Sequence, residues 1–164
     1  MPQTQVRKDM AQGVEGDIYD NGPRRSDPFE LTTNVNAAGV NGKVGYWFSQ
    51  VVAAPTTAVS GASANSVTGG ILVTKNQYAN WASLQPSLEI KEHGIGELLS
   101  MGRVIVRSHV ATAVGDQGCY ADATGIISAA PGGVAPLNHT LIPNSHFITS
   151  TANADELAVL EITN

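Results

Sequence analysis

Apolar residues in this chain come in short runs, and each run is cut off by glycine, proline, asparagine or aspartate. Such punctuation, at a spacing of roughly 8–12 residues, marks strands joined by tight turns. Strands are expected at 29–35, 43–53, 70–75, 88–92, 102–111, 118–121, 125–129, 146–150 and 156–162. The last contains LAVLEI, apolar on both faces, as a strand inside a sheet must be. Only KNQYANW (75–81) and ELLS (97–100) read as helical turns. Residues 31–40 and 53–70 are too rich in Thr, Ser, Ala, Asn and Gly to assign. No internal repeat of fixed period is present.

Composition agrees with this pattern. Charged residues make up only 14% of the 164, so the strong helix formers Glu, Lys and Arg are scarce. A chain of this length can bury roughly 70% of its unfolded surface, enough for one core without disulfides or a metal. The expected fold is therefore all-β: a β-sandwich, a jelly-roll-like domain or a small β-barrel. Residues 1–28 read as an extended polar N-terminal arm and 29–164 as a single β domain. The arm carries Arg7, Lys8, Asp9, Glu15, Asp17, Asp20, Arg24, Arg25 and Asp27. It holds too few apolar side chains to fold alone and would gain order against another surface.

MGRVIVRSHV (101–110) alternates on every second residue. Gly102, Val104, Val106, Ser108 and Val110 fall on one side, and Arg103, Ile105, Arg107 and His109 on the other. Alternation of this kind places Val104, Val106 and Val110 in the core. The opposite face is then solvent or interface, and arginine is enriched at protein–protein contacts.

Candidates for chemistry are few. His93, His109, His139 and His146 lack the spacing of HExxH or a CxxC-type metal site. His139 and His146 could meet across the Pro143–Asn144 turn, yet two histidines with no acid nearby make a weak metal site. On a strand Glu89 and Glu92 face opposite ways, which argues against a shared acid–base pair. Trp47, Phe48, Tyr78 and Trp81 could form a sugar-binding platform, but with 5% aromatics a core needs most of them. GDIYDNG (16–22) is similar to a motif of trimeric dUTP hydrolases, whose late glycine-rich motif is missing here. No P-loop, GxGxxG or GxSxG is present. These absences predict a protein that is not an enzyme and takes no cofactor.

The net charge of −5, with no basic cluster larger than Arg24–Arg25, argues against nucleic acid as a partner. No apolar stretch reaches the roughly 18 residues needed to cross a membrane as a helix. The N-terminus has no signal-peptide h-region, so action where the chain is made, or in something assembled there, is expected. A single cysteine, Cys119, is expected to be a small, half-buried apolar residue.

The order of segments resembles a known family. A polar arm is followed by VGYWFSQV, GGILVTKNQYAN, IGELLSMGRVIVRS, AVGDQGCYADATGIIS and IPNSHFITSTANADELAVLEI. Over residues 40–164 this is similar to the structural cement, or decoration, proteins of tailed bacteriophage capsids. Residues 102–106 and 115–120 match the middle of the family pattern and 154–162 its end.

The resemblance implies a non-enzymatic β domain, made in the host cytoplasm, on the outer face of the expanded capsid in the virion. It would bridge neighbouring copies of the major capsid protein and self-associate as a homotrimer or homodimer. Arg24, Arg25, Arg103, Arg107 and His109 are the expected interface residues. The alternative is a virion-surface β module, a head fibre or tail component, that binds a host glycan or receptor.

Overall fold

The computed structural model describes residues 13–20, 22–32, 42–62, 66–73, 89–90 and 93–163. Several expectations lie outside these residues: the helical turn at 75–81 with Tyr78 and Trp81, the strand ends at 33–35, 74–75, 88 and 91–92, and arm residues 1–12.

The described fold is all-β. Its strands are β1 (Arg25–Thr32), β2 (Gly42–Lys43), β3 (Trp47–Val51), β4 (Ala54–Ser60), β5 (Ser66–Leu72), β6 (Glu89–Ile90), β7 (Ile95–Arg107), β8 (Gln117–Ala121), β9 (Ile127–Ala130), β10 (His139–Leu141), β11 (Ser145–Phe147) and β12 (Leu157–Ile162). A 3₁₀ turn, Pro131–Gly133, follows β9.

The largest sheet runs β1-β4-β3-β5-β7-β12-β11, and β1 also pairs with β7. That extra pairing closes β1, β4, β3, β5 and β7 into a five-stranded barrel. Closure is antiparallel throughout except at β1–β4, where Glu30, Leu31 and Thr32 run parallel to Thr57, Ala58 and Val59. Inside sit Leu31, Phe48, Ala58, Leu72 and Leu98, with Ile90 from the small β2–β6 pair. Five strands enclose little space, which is why Ala58 and Gly96 serve where larger side chains would clash. A Cβ on Gly96 would lie 2.6 Å from Leu72 and 2.8 Å from Leu31.

A second core lies outside the barrel. The outer wall, through Trp47, Ile71 and Leu99, is covered by the β10-β8-β9 sheet, through Tyr120, Ile127 and Ala129. The same sheet faces Val104, Val106, Ala158, Leu160, Ile162 and Phe147 on β7, β12 and β11. This part is a β-sandwich whose inner faces interdigitate. Trp47 and Tyr120 stack between the two layers with ring centroids 5.0 Å apart and planes 10° from parallel. The indole N–H of Trp47 donates to Ser49 Oγ at 3.0 Å, so burial leaves it satisfied.

Strand β7 belongs to both halves. Its 95–101 segment is a barrel stave, paired with β1, and its 102–107 segment is a sandwich strand, paired with β12. Between them the register against β1 shifts at Arg25/Ser26, opposite Leu99 and Met101. One extra residue flips the side-chain parity. Leu99 and Val104 therefore face the same core, although strict alternation would separate them. Gly102, at φ +129°, takes the backbone conformation that this irregularity needs.

Two sequence expectations are corrected here. ELLS (97–100) is extended, because Leu98 fills the barrel while Leu99 fills the sandwich. Val110 is exposed, because β7 ends at Arg107 and Ser108 turns the chain by donating to Val110 O at 2.6 Å. Residues 54–60, unassigned from sequence, form β4.

The Trp47–Tyr120 stack joins barrel to cover sheet. Tyr120→Ala is expected to destabilise the fold by about 3 kcal/mol, as buried aromatic truncations do. Urea unfolding should show a lower midpoint with an unchanged slope. An unchanged midpoint would mean that the two layers do not depend on this contact.

Candidate functional site

The face expected to carry function lies where the arm meets β7. Residues 16–19 run beside the sandwich half of that strand. Gly16 N–H donates to Ile105 O at 2.7 Å, Ile105 N–H to Asp17 O at 2.9 Å, and Tyr19 N–H to Arg103 O at 2.9 Å. Ile18 bridges Val104 and packs on the sandwich core. The arm thus covers Ile105, which is buried although its parity points away from Val104. Gly13 closes this cover at φ +105°, where an added Cβ would come within 2.7 Å of Ile105 Cδ1.

Charged side chains then clamp the arm. Arg103 Nη1 lies 2.9 Å from Asp20 Oδ2 on the arm, and Arg103 Nε lies 3.2 Å from Glu161 Oε1 on β12. Glu161 Oε2 in turn lies 3.3 Å from His146 Nε2 on β11. Register explains the row: Arg103 is opposite Glu161, and Glu161 is opposite His146. Cross-strand neighbours of opposite charge attract, so arm, β7, β12 and β11 are tied laterally. Hydrogen bonds to Glu161 and Asp20 hold the Arg103 guanidinium still more firmly protonated than usual.

A second tie lies four residues along β7, about 13 Å away at strand spacing. Arg107 Nε is 3.5 Å from Glu15 Oε2, and Arg107 also donates to Asp155 O. Glu15 lies over Gly45, whose added Cβ would touch its side chain. Burial pushes the Glu15 carboxyl above its ordinary range; Arg107, and then Lys43, pull it part of the way back. His109 Nδ1 is 3.1 Å from Asp155 Oδ1, with both groups well exposed.

The five expected interface residues therefore separate. Arg24, Arg25 and Arg103 gather around Met101 and Gly102, since Arg25 is opposite Met101 and Arg24 lies against Gly102. Arg107 and His109 lie at the far end of the face. Arg103 and Arg107 are both engaged within the chain, and Arg25 pairs with Asp27 at 3.3 Å. Two clefts adjoin the first group. One of about 360 Å³ opens at the barrel mouth beside Arg25, Asp27 and Gln50. The other, of about 280 Å³, lies between Asp20, Pro23 and Arg103. Met101, Ile162 and Thr163 line both.

Glu15, Asp20, Glu161 and His146 complete this face, and none of them is expected from sequence as a partner of the arginines. Only a knowledge of register would have paired them with the arginines. The remaining candidates fall elsewhere. Trp47 and Phe48 are core residues, as their scarcity suggests. His139 Nδ1 lies 3.0 Å from Leu137 O, and His146 faces Glu161, so these two histidines take separate partners. Among the described residues no three His, Cys, Asp or Glu side chains gather as a metal site. Cys119 is fully buried and its Sγ donates to Ser128 O; burial pushes its pKa up to about 11. Its thiol stays protonated at neutral pH and is a poor nucleophile there.

A barrel fused to a sandwich, with a clamped arm on one face, defines an all-β module of two joined parts. The capsid structure of Myoviridae phage XM1 contains a chain of this fold. Its TM-score is 0.64 at 14% identity, over 99% of this chain and 97% of that one. A family model described as structural cement protein (E217 gp24/Pam3 gp6) matches residues 1–163. The chain belongs to this family of phage structural cement proteins, and it is a structural, capsid-associated protein of the virion. No curated protein sequence matches it.

Two outcomes follow from the clamp. Arg103→Met is expected to speed amide exchange at Tyr19 and Ile105 by about tenfold relative to Val159, because only the arm is released. Equal protection in both proteins would show that backbone pairing alone holds the arm. The second concerns Glu15. Its raised pKa means that the folded chain holds this proton at a higher pH than the unfolded chain does. Ionised Glu15 therefore costs stability at neutral pH, and the cost vanishes as pH falls through the folded pKa. Glu15→Gln should match or exceed wild type in urea melts at about pH 7 and lose that margin near about pH 4. A variant weaker at neutral pH would mean that Arg107 outweighs burial.

Proposed function

We propose that this chain binds the outer surface of the expanded phage head and bridges neighbouring major capsid protein subunits, stabilising the shell. The family match over 1–163 carries this reading. The mechanism is additive. Each copy need bind only modestly, because one bound end raises the effective concentration of the other and the contact repeats over the lattice.

Arg24 and Arg25 are the cations best placed to touch a shell subunit. Both are exposed at the start of β1, and they form a basic spot on an acidic chain. Basic side chains here favour an acidic or carbonyl-rich patch on the partner. Arg103 and Arg107 act at the same face by holding the arm in place, His109 pairs with Asp155 at its far end, and the outer edges of all three form the rim. Self-association as a trimer or dimer is part of the same reading. It would multiply the contacts each bound unit makes.

The test is co-sedimentation of the purified chain with expanded, undecorated shells, counted as copies per shell subunit. Saturation at a fixed whole-number ratio is expected. Arg24→Glu with Arg25→Glu should weaken binding about tenfold, the loss of one or two rim contacts. No pelleting of folded protein with intact shells would overturn the reading and leave the glycan- or receptor-binding module as the alternative. Full binding by the double variant would remove these two arginines from the interface.

A further inference from the structure

We infer that the two clefts flanking Met101 form one binding site for a neutral oligosaccharide, with a sugar ring in each. The inference goes beyond the shell contact: it gives the clefts a small-molecule ligand and is tested on the free chain.

The first observation is position. The larger cleft, of about 360 Å³, opens at the mouth of the five-stranded barrel. Barrel mouths are a recurrent place for ligands, and small-molecule sites span roughly 300–1,000 Å³. The smaller cleft, of about 280 Å³, adjoins it, since Met101, Ile162 and Thr163 wall both. The methionine between them is an unbranched side chain that adapts to the shape of what it touches.

The second observation is that each cleft holds a carboxylate–guanidinium pair with bonding capacity left over. In the larger, Arg25 Nε lies 3.3 Å from Asp27 Oδ2, and the two side chains are 66% and 49% exposed. Among the described residues the Nη groups of Arg25 and Asp27 Oδ1 have no partner. Gln50 Nε2 donates to Pro55 O at 2.7 Å, which leaves Gln50 Oε1 as a further acceptor. In the smaller cleft, Arg103 uses Nη1 toward Asp20 and Nε toward Glu161 and keeps Nη2. The carboxylate oxygens of that pair retain lone pairs.

Such a pair is the chemical complement of a vicinal diol. One hydroxyl donates to the carboxylate, its neighbour accepts from the guanidinium, and both bonds are charge-assisted. Two adjoining pairs therefore match two hydroxyl-bearing rings. Apolar surface lies beside each pair, from Phe29 in the larger cleft, Pro23 in the smaller, and Met101 and Ile162 in both. It covers the C–H faces of the rings.

The third observation sets the charge of the ligand. Among the lining residues Arg25 and Asp27 cancel, while Asp20 and Glu161 outnumber Arg103. An anionic sugar or a phosphate would meet surplus carboxylate on a chain of net charge −5. A simple cation would leave the remaining guanidinium donors without an acceptor.

Amide NMR spectra of the free chain, titrated with maltotriose, chitotriose and the anionic sialyllactose as probes, test this. A neutral trisaccharide at millimolar concentration is expected to shift the amides of Ser100, Met101 and Thr163 and to leave those of Ala129 and Val159, in the core, unmoved. Asp27→Ala should raise the Kd of the bound probe at least about tenfold, and Gln50→Ala about threefold, as the loss of a charged and of a neutral hydrogen-bond partner does. The same spectra report whether each variant folds, and Asp27→Asn replaces Asp27→Ala if that variant does not. No shift with either neutral probe, shifts confined to other surfaces, tighter binding of sialyllactose, or an unchanged Kd in the Asp27 variant would each overturn the inference. Shell pelleting is run in parallel and judges the cement role separately. A chain that pellets and binds a neutral probe keeps both conclusions. One that pellets but binds neither neutral probe loses this inference alone, and one that binds without pelleting loses the cement reading alone.

Discussion

Everything in this fold depends on one strand serving two enclosures. A barrel of five strands and a sandwich of two layers need different side-chain parity along β7, because the strand borders the barrel interior first and the sandwich interior later. A regular strand cannot satisfy both. One irregularity opposite Arg25/Ser26, with Gly102 at positive φ, supplies the change. Leu98 then enters the barrel and Leu99, Val104 and Val106 enter the sandwich. The Trp47–Tyr120 stack works at the same junction, pressing the cover sheet onto the barrel wall.

The arm extends this arrangement. Its backbone adds a short strand to β7, and its carboxylates reach the arginines that the parity of β7 directs outward. Exposed ion pairs contribute little to stability, so their value here is positional. The row from Asp20 through Arg103 and Glu161 to His146 sets the lateral register of four segments. Under the proposed role, a surface fixed before it meets the lattice would lose less entropy in each contact. The chain thus carries one charged face on which the arm is clamped.

Much of this was legible in the sequence. Short apolar runs between turn residues gave an all-β fold, and LAVLEI gave a strand buried on both faces. The alternation of 102–107 assigned Val104 and Val106 to the core. What escaped has physical reasons. β4 (APTTAVS) is small and polar because a five-stranded barrel has room only for Ala58 and Ser60 on its inner side. ELLS looked helical because adjacent leucines that fill two different cores carry no period-two signal. Ile105 looked exposed because the segment that covers it lies some ninety residues earlier in the chain. The partners of Arg103 and Arg107 were invisible for the same reason: pairing across strands is set by register, and register is a property of the folded sheet.

Family membership makes this a phage structural cement protein, and the proposed bridging of shell subunits has a direct test. The most direct measurement is the temperature at which expanded, undecorated heads rupture, with and without saturating protein. If the chain bridges shell subunits, the rupture temperature should rise as sites fill and stop rising at saturation, because binding to the intact shell alone stabilises that state. An unchanged rupture temperature with the protein demonstrably bound would contradict the account, since a chain that attaches without bridging adds nothing to the lattice.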